Sequence, residues 1–205
     1  MDCASVEAAR RAQIAARINR LQDETDVQNL QHAFGYYLDR KLYDDAADLF
    51  AASGEMKFGN VAAAHGAKAI KASLIKQFGP SPLQRGELFD HILMSTVITI
   101  AADGRHAQAR TSQLGELGKM GDYANWELGE FDNSFVKEGG TWKVQAVHYQ
   151  PTMITDFDLG WSRDWRPKPG LPMALRFPLP HDEALPNAGL QAKPAMRRTR
   201  RIWRP

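Results

Sequence analysis

The sequence predicts an α+β protein, in which helices come first and a run of antiparallel strands then forms one curved sheet with the helices packed on one face. Three observations carry this reading. Apolar residues recur at intervals of three and four as far as Phe78; alternation with period two takes over from Leu88; and Asp103-Gly104 and Gly139-Gly140, pairs suited to tight hairpins, separate the strand-like runs.

From Val6 to Asp23 the chain is rich in Ala, Arg and Gln, with Ile14, Ile18 and Leu21 at helical spacing. This predicts an amphipathic helix, read as an N-terminal extension over residues 1–22 with a packing or subunit-contact role. A second helix is expected from Asp26, a fair N-cap, to Arg40, burying Val27, Leu30, Phe34 and Leu38. A third should cover Leu42 to Phe50. Short strands follow at Glu55–Phe58 and Val61–His65. Gly66 then opens a helix with Ile70, Leu74 and Phe78 on one face, and Gly79-Pro80 closes it.

The β half begins with the strongest strand signal in the chain, Leu88 to Ile100. Strict alternation puts His91 on one face with Leu93, Ser95, Val97 and Thr99. Further strands are expected from His106 to about Leu117, from about Ala124 to Lys137, and from Trp142 to Tyr149. After Pro151 periodicity fades. Residues 161–205 hold most of the prolines and read as an extended Pro-rich tail that lies across its own domain or a neighbouring subunit, anchored by Trp161, Trp165, Leu171, Met173 and Phe177. Residues 23–160 are then the folded domain.

Bulk properties narrow the function. A chain of 205 residues, 43% hydrophobic, suits one sizeable core. A net charge of +2 gives no case for nucleic acid, and the basic run Arg197-Arg198-Thr199-Arg200-Arg201 reads as a solvated end. Cys3 is the only cysteine, which excludes an intramolecular disulfide and a cysteine-rich metal site. No secretion signal and no membrane-length apolar stretch is apparent, so a cytoplasmic protein is expected. No metal-ligand pattern and no glycine-rich phosphate loop appears, and no cofactor is expected.

His91 is the most informative residue. An imidazole held by a carboxylate acts as a base near neutral pH. Asp39 ends an apolar-periodic helix, although periodicity alone places it at the margin of the buried stripe, as an exposed helix-end carboxylate would be. His32, His65, His106 and His181 have no partner that the sequence identifies.

The order of elements resembles the nuclear transport factor 2-like superfamily, and within it the SnoaL-like group that includes scytalone dehydratase, over roughly Leu21 to Trp161. The resemblance rests on Tyr36-Tyr37-Leu38-Asp39-Arg40-Lys41-Leu42-Tyr43-Asp44 with Ala47-Asp48-Leu49-Phe50, on Gly66 opening the helix with Ile70, on His91, and on the closing hairpin Asn133 to Val144. It implies a cone: a strongly bent, mostly antiparallel sheet around an apolar hollow, with helices on its concave side. It also implies that Asp39 orients His91, the pairing used in the dehydratase and dehydrochlorinase branch, and that copies associate as dimers or trimers.

A cofactor-independent lyase is therefore expected, eliminating water or a small aldehyde from a hydrophobic, hydroxylated aromatic compound. The alternatives are an isomerase or cyclase on a polycyclic substrate, or a non-catalytic module that binds a small molecule or another subunit. The second cavity histidine of the dehydratase is absent from Thr111-Ser112-Gln113-Leu114-Gly115-Glu116. Leu38 stands where that enzyme has a tyrosine, and Phe34 where the dehydrochlorinase has a lysine. Tyr36, Tyr37, Arg110, Tyr123, Asn133 and His148 are the remaining candidates for substrate-binding polar groups.

Overall fold

A computed structural model describes residues 3–164. The elements run α1 (Cys3–Asp39), α2 (Tyr43–Asp48), β1 (Phe50–Phe58), β2 (Ala64–His65), α3 (Ala67–Phe78), β3 (Glu87–Ile100), β4 (His106–Lys119), β5 (Tyr123–Glu138) and β6 (Thr141–Asp156). The strands form one curved, open sheet in the order β2-β1-β6-β5-β4-β3. Only β1 and β6 pair in parallel, so the chain crosses from the helical half to the far edge and returns as a four-stranded meander. The fold is the expected α+β cone. Of the expected tail over 161–205, everything from residue 165 onward lies outside the described residues.

The two helices expected before residue 40 are one. Neither Gly nor Pro interrupts the chain from Cys3 to Phe34, and i,i+4 pairs such as Arg11–Glu7 and Arg20–Glu24 run along the exposed face. Asp26, expected to start a helix, instead accepts from Gln22 inside one, while the Thr25 hydroxyl donates to the Leu21 carbonyl. Residues 3–22 of α1 are exposed throughout, and burial starts at Val27.

The buried stripe of α1 is Val27, Gln31, Phe34 and Leu38. Gln31 replaces the expected Leu30 as the innermost residue, because its side-chain oxygen accepts from Asn133 Nδ2 on β5 at 2.7 Å. Phe34, Leu38, Tyr43, Ile70 and Leu74 pack against Phe58, Phe131, Phe135, Val144 and Val147 to make the core between helices and sheet. The helix expected to reach Phe50 stops at Asp48, because Phe50 already pairs with Val144 as the first residue of β1.

Two bulges decide which side chains reach the interior. On β3, Leu93 pairs with Gln113 but the next partner of Thr111 is Thr96, so β3 carries one extra residue. The parity inverts there. Phe89, His91 and Leu93 point inward, followed by Thr96, Ile98 and Ile100, while Ser95, Val97 and Thr99 are exposed. The expected row of His91 with Ser95, Val97 and Thr99 is thus corrected. On β6, Val144 pairs with Phe135 and Ala146 with Ser134; the extra residue, Gln145, turns Val147 and Tyr149 inward and His148 outward. Such bulges also increase local twist, in keeping with the curvature of the sheet.

Candidate active site

Asp39 is the last residue of α1, and the chain leaves the helix through Lys41, whose φ of 53° is left-handed. The Lys41 and Leu42 amides donate back to the Leu38 and Tyr37 carbonyls, closing the helix end. The Lys41 side chain is buried; its Nζ lies 2.9 Å from Glu87 Oε2 at the start of β3 and 5.2 Å from the centre of the Phe89 ring. Phe89 in turn meets the His91 ring edge to face, with centroids 4.6 Å apart. The helix terminus is thereby fixed against the part of β3 that carries His91.

The result is a buried contact between residues far apart in sequence: His91 Nδ1 lies 2.6 Å from Asp39 Oδ1. Burial raises the Asp39 carboxyl above the ordinary aspartate range, against the hydrogen bond and the charge of His91, which both lower it. When Asp39 is ionised it accepts, so the proton sits on Nδ1 and the lone pair on Nε2. That is the form in which an imidazole takes a proton from another molecule.

A second polar group lies beside this pair. His91, Gly115 and Glu127 are successive cross-strand partners on β3, β4 and β5. A Cβ at Gly115 would come within 3.3 Å of both His91 Cδ2 and Glu127 Cβ, so glycine there is what lets the two side chains pack close across β4. Tyr149 Oη donates to Glu127 Oε1 and accepts from Gln113 Nε2 at 2.9 Å. A Cβ at Gly129 would overlap the Tyr149 ring and oxygen, so glycine there is what lets the tyrosine reach Glu127. Burial raises the Glu127 carboxyl, opposed by the Tyr149 hydrogen bond and the charge of His91. Burial, with the nearby Glu127 charge, also raises Tyr149, which therefore stays a phenol. Phe58 and Phe131 pack their rings against Tyr149, with centroids at 5.5 and 4.7 Å.

The other expected binding residues are not gathered here. Arg110 is exposed on the outer face, 3.4 Å from Asp132. His148 faces outward because of the β6 bulge, its Nε2 2.7 Å from Glu55 Oε1. Tyr36 and Tyr123 are exposed, Tyr36 beneath the Arg40 guanidinium and Tyr123 at the start of β5. Tyr37 is half-buried against the edge of the core. Asn133 is buried, but its amide ties α1 to the sheet: Nδ2 donates to Gln31, and Oδ1 accepts the His148 backbone N–H.

Glu127, Tyr149 and Gln113 were not anticipated. Alternation along Glu127, Gly129, Phe131, Asn133 and Phe135 placed Glu127 on the apolar face and could have revealed it. Tyr149 could not be placed without knowledge of the bulge. Among the described residues, no group of three or more His, Cys, Asp or Glu side chains is arranged to hold a metal ion.

The chain belongs to the SnoaL-like domain family, whose model matches residues 19–148. Among solved structures, it is similar to a candidate scytalone dehydratase from Novosphingobium aromaticivorans, with TM-score 0.60 and 20% identity over 77% of this chain and 97% of that one. It is similar also to the hexachlorocyclohexane dehydrochlorinase LinA-type3 from Novosphingobium barchaimii, with TM-score 0.60 and 12% identity over 74% of this chain and 99% of that one. A third is an NTF2-like protein with a cystatin-like fold from Novosphingobium aromaticivorans, with TM-score 0.54 and 19% identity over 74% and 93% of the two chains. At these identities the likeness speaks for the fold. No curated protein matches the chain.

Proposed function

We propose that the protein is a cofactor-independent lyase in which Asp39 orients His91 as the base that starts an elimination. The observation that carries this reading is the buried contact of 2.6 Å between His91 Nδ1 and Asp39 Oδ1, which leaves Nε2 as the acceptor. Two of the structural neighbours are named for eliminations, of water and of hydrogen chloride, and both names favour the same chemistry. The phenylalanines around the dyad suit a hydrophobic, aromatic substrate, and the polar groups between them suit hydroxyls on it. The substrate class is a hydroxylated aromatic compound that loses water or a small aldehyde.

The aldol adduct of benzaldehyde and acetone separates these outcomes in one assay. Dehydration gives the conjugated enone, and carbon–carbon cleavage gives benzaldehyde and acetone. This adduct and a panel of hydroxylated aromatic compounds, read by mass spectrometry, should reveal loss of water or of a small aldehyde. A product of unchanged mass would mark an isomerase instead. His91→Ala and Asp39→Asn should each slow turnover by about 10²–10⁴-fold with the fold intact. A folded His91→Ala protein with the wild-type rate would refute the role of His91 as base.

We propose also that copies of the chain associate. Leu88, Ile92, Met94 and Val97 form an exposed apolar row on the outer face of β3, of the kind that interfaces cover.

A further inference from the structure

The dyad supplies a base, but an elimination that expels hydroxide also needs an acid, because hydroxide is a poor leaving group. We propose that Glu127, held by Tyr149 and Gln113 across Gly115 from His91, is the acid that protonates the departing hydroxyl group. This rests on the elimination proposed above and adds a second catalytic residue to the same site.

Three features of the geometry support it. The Gln113 amide donates to the Tyr149 oxygen, so the Tyr149 hydroxyl hydrogen is free to point at Glu127 Oε1. Oε1 is thereby committed as an acceptor, and a proton carried by Glu127 sits on Oε2. Gly115 puts no side chain between His91 and Glu127, so the two are close neighbours across it and within reach of one molecule. Finally, Gln113 Oε1 is buried without a hydrogen-bond partner among the described residues. It is an acceptor in want of a donor, on the side chain whose amide bonds the Tyr149 oxygen. Burial of Glu127 also widens the pH range over which it holds a proton to give.

The step balances without any further reactant. His91 Nε2 takes a proton from carbon, and the C–H electron pair becomes the new C=C bond. The adjacent C–O bond breaks with its electron pair on oxygen, which takes the Glu127 proton and leaves as water. Transfer of the proton from the imidazolium to the Glu127 carboxylate restores both groups.

The aldol adduct of benzaldehyde and acetone and its acetate ester test this assignment as a pair. They share a skeleton and an acidic C–H, but acetate leaves without needing a proton. Glu127→Gln, which keeps the shape and the Tyr149 bond, should slow elimination of water by about 10²–10⁴-fold and leave elimination of acetate near the wild-type rate. His91→Ala should slow both. If Glu127→Gln slows both equally, or neither, the acid role is overturned while the result for His91 stands. If His91→Ala slows neither, the underlying elimination reading fails. Carbon-13 titration of the glutamate carboxyls gives a readout that needs no turnover. The resonance lost in Glu127→Gln should titrate above the ordinary glutamic range, and higher still in Tyr149→Phe; an ordinary or lowered value would contradict the proposal even if neither probe is turned over.

Discussion

Asp39 and Glu127 are both carboxyls taken out of water at one site, and their environments differ in a useful way. Asp39 sits at the negative end of the α1 dipole and is compensated by an imidazole N–H at 2.6 Å. Glu127 is compensated only by a phenol and by a more distant histidine charge. Its raised carboxyl has a consequence for stability. Below the ordinary glutamic range, folded and unfolded chains both hold the proton and nothing is lost. As pH rises through that range the unfolded chain releases its proton first, so stability falls until the folded carboxyl ionises as well. Glu127→Gln removes this loss. It is expected to melt at or above the wild-type temperature at neutral pH, with the advantage shrinking as pH is lowered through the carboxylate range. Thermal melts across pH check this, and a variant destabilised most at neutral pH would contradict it. A gain in stability with a loss of elimination is the pattern of a residue kept for function.

The long strands carry the site, and their legibility in the sequence was uneven for a physical reason. Alternation and glycine turns located β3, β4 and β5 almost to their ends, because half-buried strands must alternate and hairpins need residues that tolerate tight turns; β6, expected to stop at Tyr149, runs on through Pro151 to Asp156. The bulges were invisible, because an extra residue is defined only against its partner strand. Hence His91, which precedes the β3 bulge, was placed on the face where it lies, whereas Ser95, Val97, Thr99 and His148, which follow bulges, were not. The contact of Asp39 with His91 was likewise beyond spacing and came only with the family resemblance. β5 supplies a direct test of how the strands hold Tyr149. Gly129→Ala would force a methyl group into that ring, and it is expected to destabilise the protein by about 1–3 kcal/mol in urea melts. It should also release Tyr149 from Glu127, lowering water elimination more than acetate elimination. A variant as stable as the wild type would show that the tyrosine has room to move.

For the molecule as a whole, one chemistry-bearing interior is enclosed by helices on one side, and apolar surface is left on the outside. Val6, Ile14, Ile18 and Leu21 on the first half of α1 are exposed, as are the outward residues of β3. A dimer or trimer is the expected species in sedimentation at micromolar concentration, and a monomer alone would contradict the proposed association. The decisive assay is a comparison of purified wild-type and His91→Ala proteins on a hydroxylated aromatic substrate, followed by product mass. The wild type should release water or a small aldehyde, and the variant, with an unchanged circular dichroism spectrum, should release about 10²–10⁴-fold less per unit time. Equal rates from the two proteins would mean that the imidazole held by Asp39 is not the base.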